Sequence, residues 1–220
     1  MLTLALDTST QEGSVALGHA GVVLGERTLS VRATHSETVL PAIDRLLGDA
    51  DRAASDLDAL VVGAGPGSFT GVRIAAALAR GMCFATGAAL FAYSSLAAIA
   101  ADVVAPSDAP APVRDDDSVC ALLDARRGQV YAAGYRPGSN FEELFPPVAG
   151  PLDELLAGLD AETWIFAGVL QEVQRATIRR VGARLLPPER GRPRASALLR
   201  LAWTAPEAGR VAEPARWEPA

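Results

Sequence analysis

One local pattern is written twice in this chain. An apolar run that ends in aspartate, a polar turn, and a glycine opening a second apolar run stand as Leu4-Ala5-Leu6-Asp7 followed by Gly13-Ser14-Val15-Ala16-Leu17-Gly18. The same order returns as Ala121-Leu122-Leu123-Asp124 followed by Gly128-Gln129-Val130-Tyr131-Ala132-Ala133-Gly134, with a shorter turn. Alternating polarity bounded by turn residues reads as strand, turn, strand in both places. With 220 residues the chain suits one large domain or two small lobes. The repeat suggests two lobes with a common core, although any two hairpins share some of these features. Residues 105–118, Ala-Pro-Ser-Asp-Ala-Pro-Ala-Pro-Val-Arg-Asp-Asp-Asp-Ser, have no periodicity and mark the expected boundary. The expected division is therefore a first lobe over 1–104, a linker over 105–117 and a second lobe with an irregular tail over 118–220.

Between the two copies the pattern predicts β-β-β-α-β-α-β-α. Residues 22–29 supply a third strand. A helix over 34–47 is predicted from Thr34 and Glu37, spaced as a capping box, and from Gly48 as its stop. Val39, Leu40, Ile43, Leu46 and Leu47 form one apolar stripe on it, and Pro41 is expected to bend or loosen its start. A buried strand follows at 57–62, then a helix over 71–86 capped by Ser68 or Thr70 and closed by Gly87, a strand at 90–93, and a helix opened by Ser94. In the second half, helices are expected at 152–159, 171–181 and 196–203, with a strand at 163–167.

Two turns carry the candidate chemistry. Gly65-Pro66-Gly67-Ser68-Phe69-Thr70-Gly71-Val72-Arg73 follows a buried strand and opens a helix. Free backbone N–H groups and the helix dipole can receive an anion there, or small residues can simply let loop and helix pack closely. The dinucleotide spacing GxGxxG is not cleanly present and Pro66 lacks an N–H, which argues against a dinucleotide site. The other turn, Asp7-Thr8-Ser9-Thr10, sets a carboxylate and three hydroxyls where a phosphate could lie, though such a turn also forms without any ligand. Its counterpart Asp124-Ala125-Arg126-Arg127-Gly128 has two arginines in place of hydroxyls. His35 lacks a helical partner four residues on, where Val39 stands, and His19 belongs to the first hairpin, so no metal site is expected.

The helix over 71–86 is apolar nearly all round, with Arg73 and Arg80 its charged residues. A sheet can cover one side; the other needs a neighbouring helix of this chain or of a partner. Val39, Ile43, Leu46, Val72, Ala76, Ala79 and Met82 on the two helices are the candidate contact residues.

Composition removes several alternatives. All 20 basic residues are arginine, so chemistries that need a lysine amine are excluded, among them phosphate-loop NTPases, Schiff-base enzymes and pyridoxal enzymes. Genomic bias toward Ala, Gly, Pro and Arg accounts for most of this. A net charge of −6 argues against holding nucleic acid unaided, while leaving room for a local arginine patch. Cys83 and Cys120 form no metal or disulfide pattern. The apolar region 87–105 is interrupted by Tyr93, Ser94, Ser95 and Asp102, and no signal peptide precedes Leu2. The expectation is a soluble, cytoplasmic protein without membrane contact.

The motifs resemble those of the bacterial TsaB (YeaZ) family of tRNA threonylcarbamoyladenosine biosynthesis proteins. The resemblance rests on Leu4 to Thr10, on His35-Ser36-Glu37 with Leu40-Pro41, on Gly65 to Arg73, and on Asp124 to Tyr131. It covers the first 135 residues in order; from Gly150 onward the match is only in outline. The resemblance implies an α/β fold of the actin-like, sugar-kinase-like, ribonuclease-H-type class, with two lobes each on a β-β-β-α-β-α-β-α core. It also implies a non-catalytic subunit that heterodimerises with a TsaD-like transferase through the first two helices, with a TsaE-like ATPase as a further partner and tRNA reached only through the complex. Self-association of the chain when alone is left open. The catalytic relative binds metal through His-x-x-x-His and a nucleotide in its cleft; here Val39, the arginine-bearing second hairpin and Gly168-Val169 depart from that pattern, so no cofactor is expected and Asp7, Thr8, Ser9 and Thr10 are at most a vestigial nucleotide site. An active metal-dependent transferase or peptidase, or a small-molecule kinase of the same fold, is the alternative. The family's usual Pro-x-Tyr-Leu-Arg-like ending is replaced by Glu213-Pro214-Ala215-Arg216-Trp217.

Overall fold

The computed structural model describes residues 1–29, 35–104, 113–114, 117–138 and 141–219, with side chains for all of these except 35–37. The Thr34–Glu37 capping box, the side chain of His35 and most of the expected linker lie outside the described residues. Two compact units form, one from Met1–Ala98 with Pro193–Ala220, the other from Ile99–Arg192.

In the first unit, β1 (Leu2–Asp7), β2 (Gly13–His19), β3 (Val22–Leu29), β4 (Ala59–Gly63) and β5 (Ala89–Tyr93) form a sheet of order β3-β2-β1-β4-β5. The hairpin pairs β1 with β2 antiparallel, placing Asp7 opposite Ser14, while β1, β4 and β5 run parallel. Helices α1 (His35–Asp49) and α2 (Phe69–Thr86) connect the parallel strands. Leu4, Leu6, Val15, Leu17, Leu60 and Val62 pack with Val39, Ile43 and Leu46 of α1 and with Ala75, Ala79 and Cys83 of α2 in one buried cluster. α1 continues through Pro41, which is exposed. α2 starts on Ser68, whose Oγ accepts from the Gly71 N–H at 3.2 Å, and ends on Gly87 in the left-handed region at φ 75°. α3 (Ser95–Val103) then leads into the second unit.

The second unit repeats the plan. Strands β6 (Ser118–Arg126), β7 (Gln129–Pro137), β8 (Phe141–Pro151), β9 (Trp164–Val169) and β10 (Arg184–Leu185) lie in the order β10-β9-β6-β7-β8, the first sheet's order read from the other edge. β6 and β7 pair antiparallel, β6 and β9 parallel, as do β9 and β10. Helices α4 (Leu152–Ala157) and α5 (Glu172–Arg180) connect β8, β9 and β10, and Leu152 and Ile178 join Leu122, Val130, Ala132 and Phe166 in this unit's core. β8 carries Pro146 and Pro147 and lies at the sheet edge, where a missing N–H costs no ladder bond.

One boundary differs from the sequence expectation, which gave all of 118–220 to the second lobe. The chain returns at Pro193, and α6 (Ala195–Thr204) lies on the first sheet, with Leu199 and Trp203 against Gly18. Leu17 faces α1 and α2, so its neighbour Gly18 faces the opposite side, which α6 covers. The helix is held by strand residues in place of a cap of its own: Ser14 Oγ accepts from the Ala195 N–H at 2.8 Å, and the Glu26 carboxylate from the Ser196 N–H and hydroxyl, both at 3.0 Å. After α7 (Pro206–Gly209), Val211 N–H donates to Leu90 O at 3.0 Å along the outer edge of β5. Trp217, in the segment that departs from the family ending, packs on the first unit's core, and the Arg80 guanidinium donates to Ala215 O.

Both cysteines are buried and unbridged. Burial pushes the Cys83 thiol up to about 11 and raises that of Cys120 as well. Between the ordinary value of 9.0 and about 11 the Cys83 thiol ionises only in the unfolded chain, so stability is lost across that window. Urea unfolding should weaken from pH 9 to 11, and less so in Cys83→Ala. Ser14→Ala should cost about 1 kcal/mol by removing an acceptor for a helix N-terminus, read as a lower urea midpoint with unchanged slope.

Candidate functional site

The Asp7 turn sits where β1 ends, and its polar groups all turn inward. Asp7 is fully buried, as is Thr8; Ser9 and Thr10 are nearly so. A buried carboxylate is expensive unless hydrogen-bonded. Asp7 Oδ1 accepts from the Ser9 N–H at 2.8 Å and the Ser9 hydroxyl at 2.6 Å; Oδ2 accepts from the Ser95 hydroxyl at 2.7 Å, at the start of α3. Thr8 Oγ1 donates to Gly71 O at 2.6 Å, and Thr10 Oγ1 to Glu12 O at 2.8 Å. The hydroxyls that sequence alone offers to a phosphate are thus bonded within the protein.

The glycine loop closes over this turn. Ser68 N–H donates to Ser9 O at 2.6 Å, and Ser95 N–H to Gly65 O at 2.7 Å. At Gly71 a Cβ would stand 1.8 Å from Thr8 O, and at Gly63 a Cβ would stand 1.9 Å from Asp7 Oδ2. Of the two sequence readings, anion receptor or close packing, the geometry takes the second: the Ser68 N–H is spent on Ser9, Gly67 and Gly71 let backbone touch backbone, and Gly65 supplies a φ of 91°. Phe69, Thr70 and Arg73 are the outward part of the motif. The Arg73 guanidinium lies 3.7 Å from the Phe69 ring centroid.

The contact residues expected from sequence lie largely inside the first unit. Val39 is 1% exposed, Ile43 3%, Leu46 5%, Val72 5%, Ala76 4% and Ala79 0%, and Met82 packs against the same core. These side chains fill the space between helices and sheet, so charge at Ala76 or Ala79 would act on folding rather than on association. The uncovered side of α2 is formed instead by Phe69, Arg73, Ala77, Gly81 and Phe84, spaced three or four residues apart on one face; Phe84 is 93% exposed and Phe69 69%. Leu40 of α1 is also exposed. The motif spacing of Phe69 and Arg73 was the sequence signal for that face, hidden because the helix is apolar on both sides.

In the second unit the matching acid, Asp124, has another fate. Its carboxylate accepts from Gln171 Nε2 at 2.7 Å and Gln174 Nε2 at 2.9 Å, and Gln174 Nε2 also reaches Gln129 O at 3.3 Å. Gly168, beside Val169, is covered by the backbone of Gly191, where a Cβ would fall 2.5 Å from Gly168 N. Among the described residues no three His, Cys, Asp or Glu side chains gather as metal ligands.

Two sheets of identical order, each opened by an antiparallel hairpin with an acid at or near the end of its first strand, define the actin-like class of two-lobed α/β folds. The family model described as "TsaD: tRNA N6-adenosine threonylcarbamoyltransferase" matches residues 23–170. The tRNA threonylcarbamoyladenosine biosynthesis protein TsaB of Bacillus subtilis is 37% identical over 147 residues, 67% of this chain and 60% of that protein. Its Haemophilus influenzae namesake is 39% identical over 145 residues, 64% of this chain and 58% of that one. A crystal structure from Pseudomonas aeruginosa, described as an uncharacterized protein with similarity to peptidase YEAZ, superposes with a TM-score of 0.83 at 31% identity over 100% of this chain and 98% of that chain. The chain belongs to the TsaB/YeaZ family, within the TsaD-type group that the family model describes. It spans about 60% of the length of the curated relatives it matches.

Gly71→Ala should destabilise by about 3 kcal/mol or more, because the added carbon meets backbone that cannot yield. Gly81→Ala, in open space on the same helix, should be neutral or stabilise by up to about 1 kcal/mol. Urea denaturation of the two variants tests the contrast.

Proposed function

We propose that this chain is a non-catalytic subunit in tRNA threonylcarbamoyladenosine biosynthesis, heterodimerising with a TsaD-like transferase and working alongside a TsaE-like ATPase. The observation that carries the non-catalytic reading is the closed Asp7 turn. Its carboxylate is engaged by Ser9 and Ser95, the Thr8 and Thr10 hydroxyls by Gly71 O and Glu12 O, and the backbone oxygen of Ser9 by Ser68 N–H, all of the same chain. A phosphate would have to displace several buried hydrogen bonds to enter, each costing about 1 to 3 kcal/mol to leave unmade. The names of the curated relatives support the pathway. The exposed face of α2 supports the partnership, since aromatic rings with small residues between them suit close helix packing.

Reconstitution with a TsaD-like enzyme and a TsaE-like ATPase tests the reading. Threonylcarbamoyl transfer to tRNA should require this chain and fail with the chain alone; transfer or nucleotide hydrolysis by the isolated chain would overturn it. Phe84→Glu or Ala77→Glu should abolish co-purification with the TsaD-like partner while leaving the urea midpoint unchanged. Retained association in both variants would exclude this face.

A further inference from the structure

The β6–β7 hairpin presents two arginines in an unusual way. Arg126 lies opposite Gln129, so the loop proper is Arg127-Gly128, and Arg126, Arg127 and Gly128 have φ of 67°, 51° and 79°. A two-residue loop with both φ positive fits the strand twist and ordinarily takes Asn-Gly or Asp-Gly. Each non-glycine residue in the left-handed region costs about 1 to 2 kcal/mol, and it persists only where the surroundings hold it. The surroundings here are Asp124, which accepts from the Arg126 N–H at 3.1 Å, and Gln171 and Gln174, which fasten Asp124 and Gln129 to α5.

That arrangement withholds the nearest acid from the arginines. Other exposed guanidiniums do find carboxylates: Arg27 pairs with Asp49 at 2.6 Å, Arg136 with Glu142 at 2.5 Å and Arg179 with Glu172 at 2.6 Å. Arg126 and Arg127 are exposed and have no ion pair among the described residues. Two adjacent exposed guanidiniums carried on a braced hairpin backbone suit a chain of phosphates, because fork-shaped donors match phosphate oxygens.

We infer that this tip is a docking point for the phosphate backbone of a nucleic acid strand, two contacts within a protein whose overall charge repels RNA. The inference rests on the tRNA-pathway reading for its choice of nucleic acid over an acidic protein. It is also favoured by the groups that fix the tip, which are amides and a carboxylate with none of the apolar anchors a protein interface uses.

The test measures binding of the full chain to a labelled, unmodified tRNA transcript from 20 to 200 mM salt. Arg126→Asn/Arg127→Asn removes both charges with a residue that tolerates positive φ, and Arg126→Lys/Arg127→Lys keeps them; urea unfolding confirms that each variant folds. The Asn pair should lose tenfold or more in affinity at low salt, with the slope of log K against log salt reduced by about 1.4 to 1.8, and the Lys pair should keep the slope. An unchanged slope in the Asn pair, or no salt-dependent tRNA binding by the parent chain, overturns the inference. Tighter capture of a polyglutamate peptide than of tRNA, lost in the Asn pair, also overturns it in favour of an acidic protein. Failure of the pathway reading looks different: transfer by the TsaD-like enzyme would then be indifferent to this chain whatever slope is measured.

Discussion

A single buried carboxylate organises the first unit. Asp7 has no exposure, so its charge must be met by hydrogen bonds, and the donors come from its own turn and from the start of α3. To bring Ser95 within reach, the strands carrying Gly63 and Tyr93 must pass directly beside the turn, which leaves no room for a Cβ at Gly63. The loop from Gly63 to Gly71 is then drawn down on Thr8 and Ser9, and the first turn of α2 is placed by that contact. The glycines are there because this acid is buried.

The second unit starts from the same topology and solves the problem differently. Asp124 also stands near the end of a first strand before a hairpin, yet its loop is only Arg127-Gly128 and its oxygens are met by the amides of Gln171 and Gln174 at the start of α5. In one unit the acid closes a turn inward; in the other it braces a turn that projects outward. The two units share a strand order, and the side chains around each acid decide what that scaffold holds.

Much of this was readable in advance. Hydrophobic alternation located the paired strands, Ser68 and Gly87 bounded α2, and the twice-written motif anticipated two sheets of one order. Three features were not. β8 was hidden by Pro146 and Pro147, which only an edge position permits, and edge position is a property of the assembled sheet. The return of α6 to the first unit rests on Ser14 and Glu26, contacts across most of the chain that no local pattern encodes. Which alanines of α2 face inward was not readable because Ala76 and Ala79 look the same as Ala77 in sequence; only the sheet beneath them decides which are inside.

That long-range return has a consequence for the order of events during synthesis. The face of the first sheet at Gly18, and the acceptors on Ser14 and Glu26, wait for residues 170 to 181 positions later in the chain. The second unit, made from one continuous stretch, can be complete while the first still has a bare side. Closing a loop that spans nearly the whole chain adds little entropy beyond that of a shorter one. The delay is therefore one of timing rather than of thermodynamics: the unit that begins first is finished by a segment made after the other unit.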